Sequence, residues 1–158
     1  QQVSSAASDV YKRQQLDSVY AVGGNEIFGY WNASNNSIVL ETPISITDES
    51  LVGGSFQPLI SIDGGEFENF GSPIEIVEVP ETGSVFLEIS GNIFESVSNY
   101  ADNINVVFTT KIIDKAGNET QGLSDGTIIH VDEIIPTLDS IGISTNNALS
   151  SNLSLIHI

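Results

Sequence analysis

The chain has 158 residues, 21 of them acidic against 4 Lys and Arg, a formal net charge of −17. That balance repels phosphate backbones and anionic membrane surfaces, which excludes a nucleic-acid-binding role. Without cysteine there is neither a disulfide scaffold nor a thiolate metal site, and no apolar stretch is long enough to span a bilayer.

The first segment in chain order is "SSAASDVYKRQ", which puts Lys12 beside Arg13 in an acidic protein. Codons GAT GTG TAT AAG AGA CAG encode Asp9 to Gln14. Their complementary strand, CTG TCT CTT ATA CAC ATC, encodes Leu153 to Ile158. One DNA element read in both directions thus accounts for both ends, and it resembles the transposon end of sequencing-library adapters. Residues 1–14 and 153–158 are therefore expected to be adapter-derived rather than native, and are set aside from fold reasoning as processing scars are. The reading frame is then expected to be a fragment cut by the library. Removing Asp9, Lys12 and Arg13 leaves 20 acidic and 2 basic residues, a net of −18.

From there the pattern has period two. "SIVLETPI" places Ile38, Leu40, Thr42 and Ile44 on one face. "FQPLISID" sets Phe56, Pro58, Ile60 and Ile62 against Gln57, Leu59, Ser61 and Asp63. "SVFLEIS" turns Val85, Leu87 and Ile89 inward and Glu88 outward. "GNIFESVSNYADN", residues 91–103, holds a helical turn that crosses over into the longest strand, where Ile104, Val106, Phe108, Thr110 and Ile112 share a side. "TIIHVD" sets Ile129 and Val131 opposite His130, and the last two strands form a hairpin around "DKAGNETQGLSD". Such alternation marks half-buried antiparallel strands. Gly, Asn and Asp turns at Gly23-Gly24-Asn25, Gly53-Gly54, Asp63-Gly64-Gly65 and Asp125-Gly126 separate them. The expected fold is an all-β, immunoglobulin-like antiparallel β-sandwich of about seven strands.

"LDSV" at 16–19 returns as "LDSI" at 138–141, just past Pro136. The expected organisation is one sandwich repeat over 15–136 and the start of a second, truncated repeat over 137–152. "DKAGNET" followed by "GTIIHVDEIIPTLDSIGISTNNA" resembles the end of one bacterial immunoglobulin-like tandem repeat and the start of the next. "GYWNASNNSIVLETPISITDESLVGGSFQ" resembles the first half of such a repeat. In that family an Asp-x-x-Gly-Asn turn joins the last two strands, matched here by Asp114, Gly117 and Asn118. The linker departs from the family's Asp-x-Thr-x-Pro at Asp132-Glu133-Ile134-Ile135-Pro136.

The resemblance implies a non-catalytic spacer in a large extracellular or cell-surface bacterial protein of the adhesin type. Its partners would be neighbouring copies of the repeat, with no nucleic acid and no membrane insertion. No cofactor is required on this reading. Calcium is the candidate ion, with Asp114, Asn118, Asp132 and Glu133 as its candidate ligands and Asp139 beyond them, since it takes hard oxygens converging on loops. The competing reading is that Asp114 caps its own turn and the charge excess serves solubility.

The residues point to no enzyme. His130 is the one histidine left once the tail is set aside, and it reads as a sheet residue rather than a base, which needs an oriented partner. The Gly-Gly pairs lack the Lys-Ser/Thr of a phosphate loop, and no carboxylate pair is marked out for glycoside hydrolysis. Two rival functions are a carbohydrate- or protein-binding module with an aromatic platform at Tyr30 and Trp31, and an accessory domain of a secreted polysaccharide-degrading enzyme. Trp31 reads as packing. The Asn-x-Ser/Thr sites at Asn32, Asn35 and Asn118 read as turn residues.

Overall fold

The computed structural model describes residues 18–139. Residues 1–14 and 153–158, expected from the sequence to be adapter-derived, lie outside the described residues, as do Leu16 and Asp17 of the first "LDSV" and the expected second repeat from Ser140 onward. Two sheets face each other across one apolar core. The first has the order β1-β3-β7, with β1 Ser18–Val22, β3 Ser37–Pro43 and β7 Ser84–Ser90, all antiparallel. The second runs β2-β10-β8-β4-β5, with β2 Tyr30–Trp31, β10 Ile129–Val131, β8 Asn105–Ile113, β4 Ser55–Ile62 and β5 Glu68–Asn69. Its one parallel pair is β2 with β10. β6, Ile74–Glu75, also pairs with β4, and β9, Glu119–Gln121, also pairs with β8. A single helical turn, α1 Gly91–Glu95, carries the chain from β7 toward β8. The protein is an all-β sandwich.

The alternation puts the expected side chains inside. Ile38, Leu40, Thr42 and Ile44 are buried, as are Leu87 and Ile89, and Ile104 to Ile112 along β8 at every second position. Val85 is partly buried against the same core. Ile129 and Val131 are fully enclosed. β4 departs from the expectation. Gln57, Leu59 and Ser61, on its opposite face, are buried too, because β4 is a central strand and loop backbone reaches over it. Gln57 Nε2 donates to Gly71 O and Ser61 Oγ to Gly65 O.

About seven strands are expected, whereas ten short segments occur among the described residues, because two strands are split. The first split has its cause in Pro58. Its carbonyl accepts from Phe70 N–H, so its ring nitrogen faces the same neighbour and has no proton to return. The neighbouring strand stops at Asn69 and resumes at Ile74 as β6. The second split is in the last hairpin. Gln121 pairs with Lys111 and Ile129 with Val106, so eight steps of the return strand oppose five of β8. The surplus bulges out around the Asp125-Gly126 turn, where Asp125 Oδ1 accepts from Thr127 N–H.

The ends of the strands define two poles. β1 begins at Ser18, opposite Glu41 near the end of β3. Thr42 of β3 touches Thr110 of β8 across the core, which puts the start of β1 at the same pole as the Asp114 turn after β8. The chain leaves β10 at the other pole, where His130 pairs with Asn105 at the start of β8. It therefore comes in at one end of the sandwich and goes out at the other.

Candidate functional site

The exit pole is the most elaborated part of the molecule. It is built on five aromatic rings. Trp31 and Phe94 meet edge to face at 4.9 Å, Phe94 and Tyr100 at 5.2 Å, and Phe70 and Phe108 lie 5.4 Å apart. Trp31, Phe70, Phe94 and Phe108 are fully buried. α1 exists to bring Phe94 here, and Gly91 begins it because the backbone passes against the indole. A Cβ on Gly91 would stand 2.8 Å from Trp31 Cη2 and 2.9 Å from Asn36 O.

The departing chain is fastened to this cluster. Asp132 N–H donates to Trp31 O and Asn103 N–H to Val131 O, both at 2.8 Å. Glu133 is held twice. Its N–H donates to Asp102 Oδ1 at 2.8 Å, and its carboxylate accepts from Trp31 Nε1 at 3.2 Å. The Tyr100 hydroxyl is enclosed beside Glu133 and Trp31 without forming a hydrogen bond of good geometry. Burial first, then the Glu133 carboxylate, then Glu95, push the Tyr100 pKa above the ordinary tyrosine range.

Beyond Glu133 the chain borders an open groove of about 390 Å³ between the 25–34 loop and Asp132–Pro136. The loop is set by its own side chains. Asn32 Oδ1 accepts from Ser34 N–H, Asn35 Oδ1 accepts from Asn32 N–H, and Asn35 Nδ2 donates to Gly23 O. Asn32 and Asn35 act as the expected turn residues.

Asp114 and Asn118 lie at the opposite pole. Asp114 Oδ1 accepts from Ala116 N–H and Asn118 N–H, and Oδ2 from Asn118 Nδ2, each at 2.8 Å. The Asn118 side chain, then its backbone, hold the Asp114 carboxyl below the usual carboxylate range. Asp132 and Glu133 are separated from this turn by the length of β8, on the order of 25 Å for a strand of nine residues. The structure therefore brings Asp114 to Asn118 and Asp132 to Glu133, but not one pair to the other. Among the described residues no group of three or more His, Asp and Glu converges as a metal site. Each pole thus presents two of the four candidate ligands, as two separate pairs within one sandwich.

His130 stands on β10 with its Nδ1 3.2 Å from Asn105 Oδ1 and its ring edge-on to Tyr30 at 5.6 Å. Both neighbours are neutral. Trp31 lies in the core, and Tyr30 beside it is 43% exposed. No helix among the described residues is long and apolar enough to cross a membrane.

Sequence reasoning missed Tyr100 and Asp102 as parts of this pole, and the hydrogen bonds that Glu133 makes there to Asp102 and Trp31. The lone tryptophan was the available signal: a buried indole N–H needs an acceptor. Comparison with protein families, with curated proteins and with solved structures gives no match to this chain.

Proposed function

We propose that this sandwich is a structural spacer, one immunoglobulin-like repeat in the stalk of a large extracellular bacterial protein of the adhesin type, with neighbouring copies as its partners. The observation that carries the reading is polar: β1 begins at one pole and the chain leaves β10 at the other. A module wired in this way transmits length along a tandem array. The strand order β1-β3-β7 facing β2-β10-β8-β4-β5 supports the immunoglobulin-like assignment. The Glu133 clamp supports a stiff rather than a free linker, because a chain held by Asp102 and Trp31 leaves the body in one direction.

Three sandwiches joined through Asp132–Pro136 test this. Small-angle scattering should show the maximum dimension growing with each copy by at least the length of β8, roughly 25 Å. A compact, folded-back trimer sinks the reading. So does flanking coding sequence that holds a catalytic domain and no further copies, which would favour the accessory-domain alternative. The binding-module alternative keeps Tyr30 but loses Trp31, which no ligand can reach in the folded state.

A further inference from the structure

β7 is the outer strand of the three-stranded sheet, and among the described residues no strand pairs with its far edge. Its bonds to β3 follow by parity. Just beyond its two ends, Gly83 O accepts from Ile44 N–H and Gly91 N–H donates to Asn36 O. Bonded and unbonded pairs alternate along an antiparallel ladder, so Val85, Leu87 and Ile89 are the residues bonded to β3. The backbone N–H and C=O groups of Phe86 and Glu88 point outward. No other backbone hydrogen bond among the described residues takes them up.

A bare edge is a template for another strand, and proteins ordinarily blunt it by shortening it, bending it or placing Lys or Pro on it. The second sheet is blunted in this way. The strands at its edges, β2, β5, β6 and β9, are two or three residues long. β7 is not. It has seven residues, with neither Lys nor Pro, and its register with β3 runs without a bulge from Ser84 to Ser90. Its one charge, Glu88, is drawn back over β3, where Ser37 Oγ donates to Glu88 Oε1 at 2.7 Å. Phe86, on the same open face, is 59% exposed.

We propose that β7 pairs antiparallel with β7 of a second copy of this chain across a two-fold axis, joining two three-stranded sheets into one of six strands. The strand is complementary to itself, and that fixes the register. An axis at Leu87 overlaps all seven residues and sets Phe86 opposite Glu88 of the second copy. These are the residues whose backbone groups face outward, so each such pair exchanges two hydrogen bonds. A slip of one residue sets outward groups against residues already bonded to β3. An axis at Glu88 sets two carboxylates directly opposite each other, which is destabilising. With the axis at Leu87 each Glu88 lies beside a Phe86 ring instead. The net charge of −17 on each copy opposes the pairing, so it is weak at low ionic strength and tightens as salt screens the charge. Both poles stay free, and the pairing does not compete with a tandem array.

Sedimentation equilibrium of the folded chain, from about 10 μM to about 1 mM, should show a monomer–dimer equilibrium that strengthens between about 0.05 and 0.5 M salt. Phe86→Glu, which faces Glu88 of the second copy, should weaken it at least about tenfold. Glu88→Pro removes an outward N–H without touching the ladder to β3, and should also weaken it at least about tenfold although it lowers the net charge. Val77→Glu, an equal charge change at another exposed position, should weaken it less than about twofold. Thermal melts check that each variant folds, and Phe86→Glu carries the test if the proline variant does not. In the parent, amide exchange at Phe86 and Glu88 should slow at least about threefold on concentration, while Val85 and Leu87, already bonded, change little. A chain still monomeric at about 1 mM in 0.5 M salt overturns the proposal. So does a dimer that survives Phe86→Glu, or one that weakens as salt is added.

Discussion

The indole nitrogen of Trp31 donates to the carboxylate of Glu133, 102 positions further along the chain, at 3.2 Å. The bond ties the first strand of the second sheet to the segment that leaves the last one. The indole is fully buried, so its N–H has no water to fall back on. Glu133→Ala should cost about 1–3 kcal/mol, the usual penalty for stranding a buried donor. Glu133→Gln, which keeps an acceptor oxygen, should cost less than about 1 kcal/mol. Urea unfolding followed by Trp31 fluorescence reads both, and equal losses would mean that the charge rather than the hydrogen bond matters.

Tyr100 should respond in the opposite sense. Its hydroxyl is enclosed and unpaired, so Tyr100→Phe removes an unsatisfied group and should leave stability at pH 7 unchanged or slightly higher. The pH dependence follows from the raised pKa. Above the unfolded tyrosine value near 10 the unfolded chain releases a proton that the folded chain retains. The stability is therefore complete below pH 10 and falls as pH rises beyond it. Unfolding curves from pH 8 to pH 11 should show that fall in the parent and a shallower one in the Phe variant; parallel curves would contradict the assignment.

Thr42 and Thr110 place hydroxyls 3.4 Å apart in the core, one from each sheet. Either single Thr→Val change leaves a buried hydroxyl without its partner and should cost about 1–3 kcal/mol. The double change, which removes both polar atoms at nearly constant shape, should cost less than the two singles together. Strict additivity in a double-mutant cycle would show that the two hydroxyls do not interact.

Gly91 leaves no room for a methyl group between Trp31 Cη2 and Asn36 O. Gly91→Ala should destabilise by about 1–3 kcal/mol through overpacking, despite the better helix propensity of alanine. A crystal structure or NMR shifts should locate the strain at Trp31. A variant as stable as the parent would show that the indole can move aside.

The Asp114 turn should be indifferent to calcium, because its carboxylate already accepts three hydrogen bonds and has only Asn118 beside it as a further candidate ligand. Thermal melts in millimolar calcium and in chelator should coincide to within about 2 °C. A larger rise with calcium would mean that ligands assemble here after all. Acid should loosen the turn, since a lowered pKa means stability present above the ordinary aspartate value and lost as pH falls through the folded one. Faster amide exchange at Ala116 and Asn118 below pH 4 would register that loss.

Much of this architecture is legible one strand at a time. Ile38, Leu40 and Thr42, or Val106, Phe108 and Thr110, declare their inward face because side chains alternate along any extended chain. Asp114 announces a turn cap in the same local way. Buried Gln57, Leu59 and Ser61 are not legible, since their cover comes from loops at Gly65 and Gly71 whose path depends on the whole second sheet. The break opposite Pro58 is half legible: proline signals a missing donor, but only the pairing with Phe70 shows which neighbour loses it.

The sequence by itself determined the class of fold, the strand faces, the turns and the acidic surface, because each depends on residues within a few positions of one another. Only the tertiary structure decided that Trp31 and Glu133 close on each other beside Tyr100, and that Asp114 and Glu133 lie at opposite poles. Those relations join residues distant in sequence through strand order and register. A period-two pattern says which face of a strand is buried, but not which strand lies beside it.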